Sequence, residues 1–363
     1  MIRVGVVGAA FAANLHAEGL VETGRAEVVG VVSATESSRR DFAQRWDCTP
    51  YPDIAAMLEE ARPDAVTLAM PNRFHHDATL AAAAAGVHVI CEKPLAMNLA
   101  EADRMIAACR TAGVHLLYAE QLCFAPRYRK VRELIRSGAL GTIIQVQHHE
   151  RHGGPHASWF HDPVFSGGGV LLDMGCHGIE LTRWLLDRPA VVSVHARLGI
   201  FKHRAGVVDD HASVTLGFDS GAIAVIDSSW AAPGGIDERL EVLGTKGSVS
   251  ADLARGQAML VYSDVGVGYA AEKVEQTTGW TFVAHDEART WGWIGEMAHF
   301  VDCIEGRAEP EESGADGRSV LEIVMAAYQS AAEGQVVRLP FASIAAAPIE
   351  PWLRMRSQFG HPL

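Results

Sequence analysis

Lys93 stands in the stretch Val87–Asn98, VHVICEKPLAMN, between an acid and a proline and straight after an apolar run. Pro94 holds the backbone of the preceding residue extended and stops a strand, so the lysine is fixed on stiff backbone. Its ammonium, with a free pKa of about 10.4, is a poor base near neutrality and a good donor to developing negative charge. A second chemical pair lies in SGGGVLLDMGCHGIE at 166–180, where Asp173 precedes His177 by four residues. On a helix that spacing puts both on one face. An imidazole titrating near 6.5 is the natural proton acceptor, and a carboxylate beside it orients the ring. The bland readings are a solvated loop lysine, a helix-capping aspartate and a hydrogen-bonded core histidine.

These residues need rigid elements behind them. Strand-like runs at 4–8, 28–32, 65–70, 87–91 and 114–118 alternate with helix-like runs at 12–23, 38–46, 54–60, 76–85 and 100–112. That alternation predicts a parallel sheet covered on both faces. In such sheets ligands bind at the carboxyl edge, which is where Lys93 falls. Beyond Glu120 the pattern changes. Helices are expected at 126–137 and over most of 169–186, with strands at 142–150, 191–198, 212–218, 222–229, 239–243 and 247–251. Short turns between successive strands predict a largely antiparallel sheet. Residues 263–290 read as loop, and 295–305 and 319–332 as amphipathic helices. The expected domains are 1–120 and 121–363, an α/β chain with a parallel sheet in the first half and a largely antiparallel sheet in the second.

Composition narrows the partners. The chain has 363 residues, 48% of them hydrophobic, and a net charge of −13 without a basic stripe. Nucleic acid is therefore not an expected partner. No apolar run is long enough to span a bilayer, so no membrane partner is expected. The six cysteines form no CxxC pair. With no leader-like segment before the first strand, they predict reduced thiols in the cytoplasm.

The first strand runs into VGVVGAAFAANLH at 4–16. A turn of this kind cradles pyrophosphate on backbone N–H groups at a helix N-terminus. Gly8 holds the first position of the G-x-G-x-x-G pattern, while Ala10 and Ala13 replace the second and third glycines. The second strand runs into uncharged Ser33, where an acid would repel a 2′-phosphate, with Thr35, Arg39 and Arg40 behind it. Hydroxyls and a guanidinium without a carboxylate favour a 2′-phosphate, hence NADP over NAD.

Four segments, VGVVGAA near the start, MPNRFHHDATLAAAAAGVHVICEKPLA at 70–96, SGGGVLLDMGCHGIE at 166–180 and GRAEPEESGADGRSVLEIVMAAYQSA at 306–331, together resemble the Gfo/Idh/MocA family of glucose–fructose oxidoreductase and inositol dehydrogenase. The resemblance implies a Rossmann domain followed by an α/β domain with an open sheet that pairs between subunits, giving a homodimer or homotetramer. It implies NAD(P)(H)-dependent hydride transfer at a secondary hydroxyl or ketone of a sugar, glycoside or cyclitol, a small-molecule carbohydrate substrate.

By that resemblance Lys93 hydrogen-bonds the hydroxyl oxygen, His177 takes its proton and Asp173 orients His177 or binds Lys93; Lys93 as the immediate proton acceptor stays open. The expected cofactor contacts are Gly8, Ala10, Phe11, Ala13, Ser33, Thr35, Arg39, Pro71, Asn72, His75, Glu92, Lys93 and Gln121. In QVQHHERHGGPHASWFHD at 145–162, a strand puts His148, Glu150 and His152 on one face and His149 and Arg151 on the other. The spacing matches no dedicated metal motif, so no metal is expected. The preferred reading is a sugar pocket of Arg151, His152, His156, Trp159 and His161, with Glu120 also reaching substrate. Two other classes stay open: a glycoside-cleaving enzyme that oxidises C3 transiently, and a non-catalytic dinucleotide sensor.

Overall fold

A computed structural model describes residues 1–155, 157–233, 235–254, 259–270, 274, 277–283 and 286–359. The chain divides into two units: 1–125 with 291–319, and 126–290 with 320–363. The first crossing falls between Ala125 and Pro126, with the expected boundary near residue 120. The second crossing was not foreseen, because a returning helix looks in sequence like any other helix of the second half.

The first unit is built on strands β1 (Ile2–Val7), β2 (Ala26–Val32), β3 (Thr49–Tyr51), β4 (Ala65–Leu68), β5 (His88–Glu92) and β6 (Leu116–Ala119). They form a parallel sheet in the order β3-β2-β1-β4-β5-β6. This is the doubly wound dinucleotide-binding order, with its switch point between β1 and β4. Every residue of β4 and β6 is buried, as expected for strands covered on both faces. Helices α1 (Phe11–Glu22), α2 (Glu36–Trp46), α3 (Ile54–Glu60), α4 (His75–Ala84) and α5 (Leu99–Ala112) make the crossovers. One core cluster joins Val6, Val28 and Val31 of the sheet to Ala13 and Ala17 of α1 and Phe42 and Ala43 of α2.

Local chemistry sets the ends of these helices. Asn98 caps α5 by accepting the Glu101 N–H at 3.0 Å, and Glu101 reaches back to the Met97 N–H at 3.1 Å. The helix thus begins at a defined point, its cap five residues after Lys93. Gly113 closes it in the left-handed region. The returning helix Trp293–Ile304 packs on α1, with Phe11 edge-on to Trp293 at 5.9 Å. Trp291 and Trp293 are buried.

The second unit contains helices α6 (Pro126–Arg136), α7 (Pro163–Ser166) and α8 (Cys176–Leu185). Its strands are β7 (Ile143–Arg151), β8 (Val191–Gly199), β9 (His211–Phe218), β10 (Ile223–Ser229), β11 (Asp237–Gly244) and β12 (Ser248–Asp252), with β13 (Met259–Ser263), β14 (Gly279–Val283) and β15 (Val337–Arg338). Seven of them pair in the order β12-β11-β7-β10-β9-β8-β15. All pairs are antiparallel except β7 with β10, so the sheet is mixed at its centre. The stretch expected to be loop at 263–290 instead holds β14 and the short helix Glu287–Thr290; β13 and β14 pair as a hairpin. Polar composition hid that hairpin, because neither of its strands alternates cleanly.

Candidate functional site

Gly8 follows β1 directly with φ +116°, and a Cβ there would lie 2.0 Å from the Ala69 carbonyl oxygen. Only glycine lets the turn press so close to the end of β4. The residue before α1, Ala10, provides no side-chain cap. Backbone donors at this N-terminus are left to the turn itself, which suits a pyrophosphate. Ala10 is exposed, whereas Ala13 is fully buried in the core cluster. Ala13 thus serves the close helix–sheet packing of the third glycine position and does not face a ligand, contrary to its expected contact.

At the end of β2, Ser33 Oγ lies 2.8 Å from Ser38 Oγ, Thr35 caps α2, and Arg39 donates to the Ser33 carbonyl at 2.9 Å. Arg40 instead pairs with Glu36 on the helix surface. Pro71 and Asn72 follow β4, with Asn72 buried.

His75 departs from expectation. It is fully buried, with Nδ1 2.9 Å from the Pro94 carbonyl and Nε2 3.0 Å from the Met70 carbonyl. Its contact with a cofactor is replaced by a bridge between the end of β4 and the Lys93–Pro94 turn. Burial pushes its pKa below the ordinary histidine value, against the upward pull of both carbonyls.

Glu92 is similarly committed. Its Oε1 lies 3.0 Å from His16 Nε2, and its Oε2 accepts the Lys93 N–H at 3.0 Å. His16 Nδ1 in turn lies 2.5 Å from Thr67 Oγ1. The chain Thr67–His16–Glu92 anchors the turn carrying Lys93, and Glu92 acts as support for that turn. His16 was missed in the sequence, since a single histidine on a helix carries no signal. Glu120 and Gln121 follow β6 and are both buried. Glu296, from the returning helix, is fully buried; burial, then the charges of Glu92 and Glu120, raise its carboxyl well above the usual range.

In the second unit, Asp173 lies within a π-helical turn, Leu171–Gly175, that leads into α8, and His177 is the second residue of that helix. Both are buried. Such wide turns recur at functional sites because they reset the phase of the side chains that follow. The cap comes from elsewhere in the chain. Asp209 accepts the Gly169 N–H at 3.1 Å, the Leu171 N–H at 2.9 Å and the Tyr328 hydroxyl at 2.7 Å. Asp173 is therefore not the capping aspartate of the bland reading. A Cβ on Gly169 would fall 2.1 Å from the Asp209 carbonyl oxygen, so the triple glycine marks a close backbone approach.

Next to Asp173 stands Trp230, which the sequence reading did not single out. It is fully buried and donates its indole N–H to Asp173 Oδ2 at 3.2 Å. Phe160 meets its ring edge-on at 6.2 Å and His161 at 5.7 Å, while Trp159 stacks on Phe160 at 3.8 Å. His161 also faces His203 at 5.3 Å. Burial, then His203, lowers the pKa of His161. A neutral imidazole that both gives and accepts hydrogen bonds, beside flat aromatic faces, suits a polyhydroxylated ring. His152 is fully buried, and its Nδ1 accepts the Gly154 N–H at 3.1 Å. His156 lies outside the described residues.

Arg151 does not join this group. It lies on the opposite face of β7, pairing with Asp227 at 2.7 Å and approaching Asp237 at 3.9 Å. Strand alternation separates it from its neighbour His152, which corrects the expected substrate contact. On the other face, His148, Glu150 and Glu238 bring ligand-type atoms within 4.8 Å of one another. His148 Nε2 lies 2.8 Å from Glu238 Oε1, which also accepts the Tyr128 hydroxyl at 2.7 Å. These bonds make a packed core network.

Comparison with known proteins fits this geometry. Residues 2–120 match the oxidoreductase family model with an NAD-binding Rossmann fold, and residues 128–250 match the GFO/IDH/MocA C-terminal domain. The chain belongs to the Gfo/Idh/MocA oxidoreductase family. It is 29% identical to myo-inositol 2-dehydrogenase of Thermotoga maritima over 346 residues, covering 93% of this chain and 98% of that protein. It is 30% identical to 1,5-anhydro-D-fructose reductase of Ensifer adhaerens, covering 93% of this chain and 99% of the relative. Among solved structures, GenD2 from gentamicin A biosynthesis in complex with NAD is similar at a TM-score of 0.89 and 33% identity, covering 94% of this chain and 97% of that one.

Proposed function

We propose that the protein oxidises a secondary hydroxyl of a sugar, glycoside or cyclitol, or reduces the corresponding ketone, with NAD(P) as hydride partner. The names of its relatives support a carbohydrate or cyclitol substrate. The observation that carries the reading is the buried Asp173–His177 pair on the π-helical turn and α8, in a chain whose other unit fixes Lys93 at the carboxyl edge of β5. His177 takes the hydroxyl proton, Asp173 supports its imidazolium, and the Lys93 ammonium stabilises alkoxide charge in the same reaction. Lys93 as immediate acceptor is the variant of this scheme. A bound nicotinamide supplies hydride acceptance. Gly8, Ala10 and Phe11 would hold its diphosphate, and Ser33, Thr35 and Arg39 its adenosine ribose. Pro71, Asn72 and Gln121 would lie along the rest. Glu120, His152, Trp159 and His161 would contact the sugar.

A phosphate binds better beside Arg39 with no acid at Ser33, so NADP is favoured over NAD. The less buried face of β10, carrying Ile223, Val225 and Asp227, would be the surface for homodimer or homotetramer formation, measurable by light scattering. Six free thiols favour a cytoplasmic setting, and among the described residues no helix is long and apolar enough to cross a membrane.

The test is a screen of myo-inositol, free aldoses, glucosides and gentamicin-type aminoglycosides with added NAD and NADP. Net cofactor reduction with at least one of them is expected. Aglycone release without net reduction would assign the glycoside-cleaving class, and tight dinucleotide binding without turnover would assign the sensor.

A further inference from the structure

Asp173 is short, buried and set in a turn wider than an α-helical one, so the direction of its carboxylate depends on what grips it. Trp230 is a candidate for that grip. It follows β10 directly, its N–H donates to the Asp210 carbonyl at 2.8 Å, and its carbonyl lies 3.3 Å from His203 Nε2. Asp210 in turn gathers the N–H groups of Phe201, Lys202 and His203 at 2.7, 2.7 and 2.8 Å. The indole is thus fixed from the backbone side. Its N–H reaches Asp173 Oδ2 at 3.2 Å, and its ring meets Phe160 and His161 edge-on. An indole nitrogen is a donor only, so this bond favours the ionised carboxylate and leaves its other oxygen to face elsewhere.

We propose that Trp230 is a positioning residue that aims the Asp173 carboxylate and couples it to the Phe160–His161 wall. The inference rests on the reading of Asp173 and His177 as the proton-handling pair. A ring seated against Phe160 and His161 then bears on the same indole that holds Asp173, so seating and proton transfer share one support.

Trp230→Phe separates the two roles, because it keeps a ring of similar shape against Phe160 and His161 and removes only the donor. With the best substrate from the screen, kcat should fall about tenfold and the acid limb of its pH profile should move upward, while KM stays within about threefold. Nicotinamide affinity, read by fluorescence titration, should be unchanged, and circular dichroism and Tm report folding. In an Asp173→Asn background the same change should cost less than twofold, since its route through the carboxylate is gone. An unshifted pH profile, or a full tenfold loss in the Asp173→Asn background, would overturn the proposal. If Asp173→Asn itself leaves kcat intact, the assignment of Asp173 falls. Should Trp230→Phe unfold, Phe160→Leu tests the coupling: it should weaken KM and lower kcat together, and a pure KM effect counts against it.

Discussion

Lys93 and Asp173 both sit on backbone that is held by other buried side chains. Glu92 accepts the Lys93 backbone N–H, and His75 bridges the next carbonyl to the end of β4. Asp209 caps the turn that carries Asp173. If the ammonium stabilises alkoxide charge, Lys93→Ala should lower kcat by about 10² to 10³, the range for removing one preorganised donor, and change cofactor affinity little. Lys93→Arg should recover only part of this, because a planar guanidinium does not replace a compact ammonium. Near-normal turnover of Lys93→Ala in a stopped-flow assay would remove that residue from the scheme. His177→Ala should remove most of the rate, read in the same assay.

The glycine-rich turn shows how much an element depends on one missing carbon. Its backbone passes so close to Asp209 that a Cβ on Gly169 would sit 2.1 Å from a carbonyl oxygen. No rotamer change relieves a clash with backbone, so the turn itself must move. Gly169→Ala should therefore destabilise by about 2 kcal/mol or more, in the upper range for a point substitution, and lower kcat through the displaced Asp173. Thermal melts and steady-state kinetics on the same sample check both. An unchanged Tm would mean that the Asp209 segment yields easily. The same element explains a limit of sequence reading. The partner of the triple glycine lies forty residues away, and no local pattern in the sequence joins Gly169 to Asp209.

At the scale of the whole molecule, buried titratable groups set a pH window for stability. His75, His88, His149 and His161 have pKa values lowered mainly by burial. Below about 6.5 the unfolded chain binds protons there that the folded chain does not, so stability falls as pH drops through that value. Glu296 has the opposite sign. Burial, with Glu92 and Glu120, raises its carboxyl, so the folded state keeps a proton that the unfolded state has lost above about 4.5. Its stabilisation is present in full below the unfolded value and is lost as pH rises through the folded one. Tm against pH should form a dome, and Glu296→Gln should flatten its alkaline side while leaving the acid side unchanged. A Glu296→Gln protein that loses Tm equally at pH 6 and pH 9 would contradict a proton held at this site.

Sequence alone determined the parallel first sheet, the phosphate turn, the site of Lys93 and the spacing of Asp173 and His177, because each is written in local periodicity or in neighbouring residues. Tertiary structure decided the return of 291–319 to the first unit, the burial of His75 and Ala13, the pairing of Arg151 with Asp227, and the contact of Trp230 with Asp173. Those depend on hydrogen bonds and packing between residues 19 to 277 positions apart. Local pattern reports which way a side chain tends to face, and only the folded chain supplies the partner that it meets.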